Sequence, residues 1–332
     1  MNPIQNRFEF LLIFDCENGN PNGDPDADNL PRTDLQDGRG LISEVSIKRR
    51  IRDYAQLTGR EIFYQHSINL NRLILESRVQ AGNEKAKPTL EATQSAAAIL
   101  CERYYDVRTF GAAASTGPNA GEIMGPVQIT LGKSIDPVHI IEMTITRKSV
   151  ARDLPKNSTV ADYERWEAEQ PRDELQTMGR KSLIPYGLYA AKGFIGAFQA
   201  GRTGFSSDDL VTLCEAMLNM YEHSRSASKG LMTTRRLLVF KHVGKSKNPE
   251  QFVKEAKLGR APAQHLLDQG RVVTIARIDQ KQAPRAYADY SVTVDRERLP
   301  DGVEMIDLET WDEESFRDWL EPHEARMVRK RR

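Results

Sequence analysis

An α+β fold is predicted, and three observations predict it. Phe8 to Phe14 is an apolar run of strand length that leads into a helix-forming segment. Ser206 to Tyr221 is a strongly amphipathic helix followed by a second apolar run, and two strand-like segments lie between these pairs. The order is therefore β, α, β, β, α, β. At 332 residues the chain can build a sizeable core, in one elaborated domain or two small ones.

Each element has a local cause. Phe8-Glu-Phe-Leu-Leu-Ile-Phe14 reads as a buried strand, and the loop after it carries Pro21, Pro25 and Pro31 with Asn-Gly pairs, which make a turn scaffold. A helix follows from about Ile42 to Thr58, ended by Gly59. At about 100° per residue, Ile47, Ile51, Tyr54 and Ala55 share one arc while Lys48, Arg49 and Arg52 share another, so one face packs and one is free to hold an anion. A polar stretch leads to a helix from about Pro88 to Tyr105, with small or apolar residues at Thr93, Ala97, Leu100, Cys101 and Tyr104. Phe110 to Pro126 is rich in Gly and Ala and reads as a close-approach loop. Val127 to Leu131 and Val138 to Thr146 read as strands paired across a turn at Gly132 to Pro137.

Val150 to Thr177, with Pro155, Pro171 and many charges, is an excursion from the core. Ser206 or Ser207 then caps a helix with Asp208 and Asp209 in its first turn and Leu210, Leu213, Cys214, Met217, Leu218 and Tyr221 along one side. Leu231 to Val243 is the next strand. Beyond Lys245 come short strands at Arg271 to Ile278 and Asp289 to Val294, an acidic helix near Asp312 to Leu320, and a basic tail. This order is ferredoxin-like, a pattern shared by RNA-recognition-motif folds.

Lys plus Arg and Asp plus Glu each total 47, so the formal charge is zero. The distribution is uneven. Asp15 to Asp37 sets Asp15, Glu17, Asp24, Asp26, Asp28, Asp34 and Asp37 against Arg32 alone, whereas Arg225 to Lys247 has Arg225, Lys229, Arg235, Arg236, Lys241, Lys245 and Lys247 and no acid. That suits a basic groove with an acidic outer surface; unevenly charged solvated faces are the plainer alternative. Arg147-Lys148 and Arg180-Lys181 lie at the roots of the excursion, where they either flank a nucleic-acid strand or are ordinary surface charge. Arg235 and Arg236, being adjacent on a strand, face opposite ways, so at most one enters a shared groove. Cys16, Cys101 and Cys214 are far apart and read as small buried hydrophobes in a reducing compartment. Arg7 and Glu9 interrupt the first apolar stretch and no apolar run approaches the ~18 residues of a membrane span, so a soluble, cytoplasmic protein without a membrane partner is expected.

Catalytic motifs mostly fail. Asp24-Pro-Asp-Ala-Asp-Asn29 begins like a calcium loop but has Asn29 where Gly is needed and Leu35 where a bidentate Glu is needed. Its carboxylates leave open a magnesium-dependent ribonuclease, with the turn scaffold as the competing role. Ser226-Ala-Ser-Lys229 lacks the companion motifs of serine acyl-enzymes and reads as a helix end. Gly201-Arg-Thr-Gly204 imitates a nucleic-acid loop of another RNA module, against a simple turn before a helix. No Gly-rich phosphate loop and no zinc-protease histidine spacing occur. Binding remains: Arg and Lys on a helix face contact phosphates without reading sequence.

Five blocks carry a resemblance: Asn18 to Asp24, Gly40 to Arg52, Asp106-Val-Arg-Thr-Phe-Gly111, Met124-Gly-Pro-Val-Gln128, and Met178 to Tyr189 with Gly193-Phe194. Together, in family order over the first two-thirds of the chain, they resemble the backbone, guide-RNA-binding subunit of the type I-C CRISPR Cascade complex. The resemblance implies an RRM-like palm from residues 1–53, 106–149 and 181–332, a helical fingers insertion at 54–105 and a thumb β-hairpin at 150–180. It implies copies stacked head to tail along the crRNA, each thumb displacing one nucleotide, with target DNA reached through guide pairing. It also implies partnership with the large subunit, the small subunit and the crRNA-processing endonuclease subunit. By position, Lys48, Arg49 and Arg52 would grip the guide backbone, Ser46 would donate a hydrogen bond, and Arg108, Arg180 and Lys181 would line the same path; Arg147, Lys148 and Arg235 complete the RNA-contact candidates. No catalytic residue, metal or cofactor is expected. A monomeric RNA-binding module is the other alternative to the nuclease.

Overall fold

The computed structural model describes residues 2–82 and 89–321. Strand β1 (Phe8–Gly19) outruns its predicted end and is followed by β2 (Arg39–Ile42) and α1 (Glu44–Leu57). Then come α2 (Leu70–Gln80), α3 (Leu90–Arg103), α4 (Tyr105–Phe110), β3 (Gly111–Ala114), β4 (Gly121–Met124), β5 (Val127–Ile129), β6 (Gly132–Pro137) and β7 (Ile141–Arg147). Helix α5 (Val160–Glu169) precedes the long strand β8 (Thr177–Ile195), α6 (Ala197–Thr203), α7 (Ser207–Asn219) and β9 (Leu231–His242). The chain continues through α8 (Pro249–Leu258), α9 (Ala263–Leu267), β10 (Val273–Arg277), β11 (Tyr290–Val294), β12 (Val303–Leu308) and α10 (Glu313–Leu320). The Pro88 start expected for α3 and the expected basic tail lie outside the described residues.

The main sheet runs in the order β12, β9, β1, β8, β6, β2, with β5 and β7 also paired to β8. Its middle sets β9, β1, β8 and β6 side by side, every pairing antiparallel; the strand beside β1 is β8, not the expected Val138 to Thr146, which forms the hairpin strand β7 instead. Alternation divides β1 between two cores. Phe8, Phe10, Leu12, Phe14 and Cys16 pack toward α1 and α7, whereas Leu11 and Ile13 pack under α9, β10 and β11. Both faces are therefore covered. Gly193 lies opposite Phe10, where a Cβ would come within 1.9 Å of the ring, so this register accepts only glycine.

Helix α1 buries Ile47, Ile51, Tyr54 and Ala55, the arc its periodicity predicts. Helix α7 is capped by Ser206 in a reciprocal capping box with Asp209 and buries the predicted side. Four expectations are corrected. Gly132 to Pro137 is a strand rather than a turn, because β5 and β6 both pair with β8 instead of the flanking segments pairing with each other. Phe110 to Pro126 is a hairpin of β3 and β4, although its glycines do serve close approach: Gly111 has φ +84° and a Cβ there would meet the Ile123 carbonyl oxygen at 2.1 Å. Helix α3 buries Leu100 and Cys101 as singled out from the sequence, with Tyr104 just past its end, but it buries Ala92 and Ala96 where Thr93 and Ala97 are only half-buried. Ser226 to Lys229 is a turn closed by the Ser226–Gly230 bridge.

A separate core joins α2, α3 and the β3–β4 hairpin through Phe63, Leu73, Ile74, Leu100, Tyr104, Val107 and Ala112. The central excursion is a projecting hairpin, β7 against the outer part of β8 from Arg147↔Thr177 to Ile141↔Leu183, with α5 beyond it. Every residue of β7 is exposed and α5 buries none. Among the described residues no helix is long and apolar enough to cross a membrane.

Candidate nucleic-acid interface

Helix α1 presents its basic arc to a groove of about 540 Å³, closed opposite by Tyr64, Phe110, the β3 backbone, Glu122, Met124 and Gln128. Ser43 caps the helix through the Ser46 N–H (3.3 Å) and donates its own N–H to Asn22 Oδ1 (2.7 Å), which ties the acidic loop to the helix start. Lys48 Nζ lies 5.5 Å from the Phe110 ring centroid, and burial together with the neighbouring Arg52 charge holds its pKa below the ordinary lysine value. The Arg52 guanidinium sits 5.0 Å from the Tyr64 centroid and 5.1 Å from that of Phe110, with Nε donating to Asp106 Oδ2 at 2.8 Å. Arg49 pairs with Asp53 and donates to the Tyr64 carbonyl oxygen (2.6 Å). Three cations, two of them over aromatic rings, so line one groove. Such a surface suits a polyanion that also offers flat faces.

The other candidates are dispersed. Ser46 is half-buried on α1 between Val45 and Lys48 but does not itself line the groove, and its N–H is already used by the cap. Arg108 is corrected outright. Its guanidinium is buried, bidentate to Asp209 (2.9 and 2.8 Å), with Nη1 donating to the Cys101 and Glu102 carbonyl oxygens. It locks α4 and the end of α3 onto the start of α7 and faces no groove.

Arg147, Lys148 and Arg180 are exposed on the projecting hairpin, and Lys181 there donates to the Ala227 carbonyl oxygen. By register Arg147 and Lys181 share one face of the hairpin and Arg180 takes the other. Arg235 lies on the sheet face covered by the C-terminal segment, bonded to buried Asp15 (2.8 Å) and stacked 5.5 Å from Tyr287. It is removed from the α1 groove. The expectation that Arg235 and Arg236 face opposite ways also fails: the register with β1 slips between Ile13 and Phe14, a β-bulge at Arg235, and both arginines reach Tyr287.

The acidic loop is held by its own carboxylates. Asp24 caps the short turn Pro25–Ala27 and pairs with Arg32 (3.2 Å), while Asp34 and Asp37 grip Lys133 (2.9 and 2.8 Å), whose hydrogen bonds lower both carboxyl pKa values. Among the described residues no group of three or more His, Cys, Asp or Glu side chains is arranged to hold a metal.

The aromatic wall, Tyr64 and Phe110, escapes a reading based on charge alone. Phe110 belongs to the Asp106–Gly111 block, which was the available signal; Tyr64 sits in a polar stretch with none. Lys229 is a further basic residue the charge pattern under-reads: it donates to the Pro21 carbonyl oxygen (2.8 Å), and burial and then the Arg50 charge lower its pKa.

Residues 6–295 match the family described as CRISPR-associated protein Cas7. A curated protein of Haloferax volcanii, "CRISPR-associated protein Cas7", is 30% identical over 244 residues, which span 67% of this chain and 66% of that protein. Among solved structures, a chain of a "CRISPR RNA-guided surveillance complex, pre-nicking" aligns with TM-score 0.44 and 13% identity over 76% of this chain and 82% of its own. One of a "CRISPR RNA-guided surveillance complex" aligns with 0.41 and 15% over 74% of each. Both likenesses are too low to bear on function. The match over residues 6–295 settles the family, and this chain belongs to the CRISPR-associated Cas7 family.

Proposed function

We propose that this chain is a non-catalytic, guide-RNA-binding backbone subunit of a type I-C Cascade complex, several copies of which coat the crRNA spacer and display it for pairing with invading DNA. The observation that carries the reading is the groove lined by Lys48, Arg49 and Arg52, with Lys48 over the Phe110 ring and Arg52 over both Tyr64 and Phe110. Phosphate contacts from a helix face hold any guide, and sequence specificity is left to base pairing. The four-stranded centre of the sheet is the RRM-like palm, the α2–α3 unit the fingers, and the β7–β8 hairpin with α5 the thumb. Copies meet head to tail, a heterologous contact that does not close and so extends along a template. The large subunit, the small subunit and the crRNA-processing endonuclease are the remaining partners, and the cytoplasm is the site of action.

Mass photometry of the full chain with single-stranded RNAs of increasing length tests this. The expected outcome is stepwise addition of whole subunits at a constant nucleotide interval, with the RNA uncut in the presence of magnesium. One complex mass at every length would reduce the chain to a monomeric RNA-binding module. Cleavage that disappears in Asp34→Ala would make it a nuclease.

A further inference from the structure

Asp106 opens the block Asp106-Val-Arg-Thr-Phe-Gly111, and its carboxylate is fully buried against α1. Three donors converge on it. Oδ1 accepts the Phe63 N–H at 2.7 Å, and Oδ2 accepts the Tyr64 N–H at 3.2 Å and Arg52 Nε at 2.8 Å. The bond to Arg52 uses Nε, which leaves the terminal nitrogens to the groove. The segment held by the other two bonds carries Tyr64, one of the two rings between which the guanidinium lies.

We propose that Asp106 is a positioning residue for nucleic-acid binding: it fixes the Arg52 guanidinium at the groove and, with the same two oxygens, seats the Phe63–Tyr64 segment that forms the aromatic wall. This rests on the reading of the groove as the guide-RNA site. An arginine held by a buried carboxylate and two rings has its rotamer set before RNA arrives, so binding forfeits less side-chain freedom. Phe110 and Gly111 of the same block complete the wall and its turn, which explains why these residue types sit together: a carboxylate to tether, a ring to stack, and a glycine at φ +84° to turn away at once into β3.

Positioning and plain electrostatics predict opposite signs. Replacing Asp106 by Asn removes a negative charge beside a polyanion site, so a bystander carboxylate would give tighter RNA binding on replacement, whereas loss of a positioning residue gives weaker binding. Anisotropy titrations of the full-length chain with a fixed single-stranded RNA, at several salt concentrations, read this directly. Asp106→Asn is expected to weaken binding about tenfold, the order expected when one phosphate-directed cation is lost. The same change in an Arg52→Ala background is expected to shift affinity by less than about twofold, because the two act as one unit. Arg52→Lys, which keeps the charge but not the planar fork, is expected to bind as poorly as Arg52→Ala.

Binding by Asp106→Asn equal to or tighter than wild type, or an undiminished loss in the Arg52→Ala background, overturns the inference. If Asp106→Asn proves unfolded by circular dichroism, Arg52→Lys decides: wild-type affinity overturns the inference, and loss supports it. A wild-type chain that binds no RNA overturns the reading of the groove and this inference with it, an outcome visible before any variant is compared.

Discussion

Lys48 is a residue whose environment sets its chemistry. Burial and the adjacent Arg52 charge disfavour its ammonium form, so its folded pKa lies below the ordinary 10.5. An unfolded lysine keeps its proton to the ordinary value, so across the window between the two the unfolded state binds more protons and stability rises with pH. RNA affinity moves the other way, since a neutral amine no longer pairs with phosphate. With a base-stable 2′-O-methyl RNA, affinity is expected to fall with rising pH inside that alkaline window for the wild type, and to stay flat there for Lys48→Arg. A decline that begins only at the ordinary lysine pKa would contradict the burial argument. Residue type and helical spacing were enough to find Lys48, Arg49 and Arg52. They could not distinguish Arg108 and Arg235, which have the same charge, because an arginine's role follows from the acid it meets: Asp209 for one, Asp15 for the other.

At the level of elements, the Arg108–Asp209 pair joins α4 to the N-terminus of α7, and Asp209 also receives the Ser206 N–H and hydroxyl. Asp209→Ala removes the cap partner and strands a buried guanidinium. The expected cost is about 3–5 kcal/mol in denaturant unfolding, whereas Ser206→Ala is expected to cost about 1 kcal/mol. Equal small effects would show the guanidinium to be satisfied by solvent. The helices were legible in the sequence where apolar spacing was strong, as in α1 and α7. Short apolar runs were harder. Gly132 to Pro137 carries turn residues yet forms a strand because the long β8 supplies a partner for it, while β7, expected as a strand within Val138 to Thr146, is exposed on both faces, so its apolar residues point to no core.

Across the whole molecule, the projecting hairpin contributes little to the fold that bears it. Because α5 buries no residue and β7 is exposed throughout, replacing residues 148–176 by a short turn is expected to leave the melting temperature unchanged while abolishing stepwise assembly on RNA. A large drop in melting temperature would mean that the excursion packs on the body of the protein. Retained assembly would move the subunit contact elsewhere. The exposed Ile141, Met143 and Ile145 on one face of β7 are the apolar side chains such a contact or a displaced base would cover.

The sequence by itself determined the first strand, the buried and basic arcs of α1, the capped core helix α7 with the strand β9 after it, and, through its blocks, the family. Those features depend on neighbours within a few turns or on local residue chemistry, which a linear reading captures. Tertiary structure alone decided which cations face a common groove, that Tyr64 and Phe110 form its wall, and that a β-bulge turns Arg235 and Arg236 to one side. The reason is physical: a charged side chain is placed by partners distant in sequence, such as Asp106 for Arg52 and Asp15 for Arg235, and only the folded chain brings them within hydrogen-bond reach.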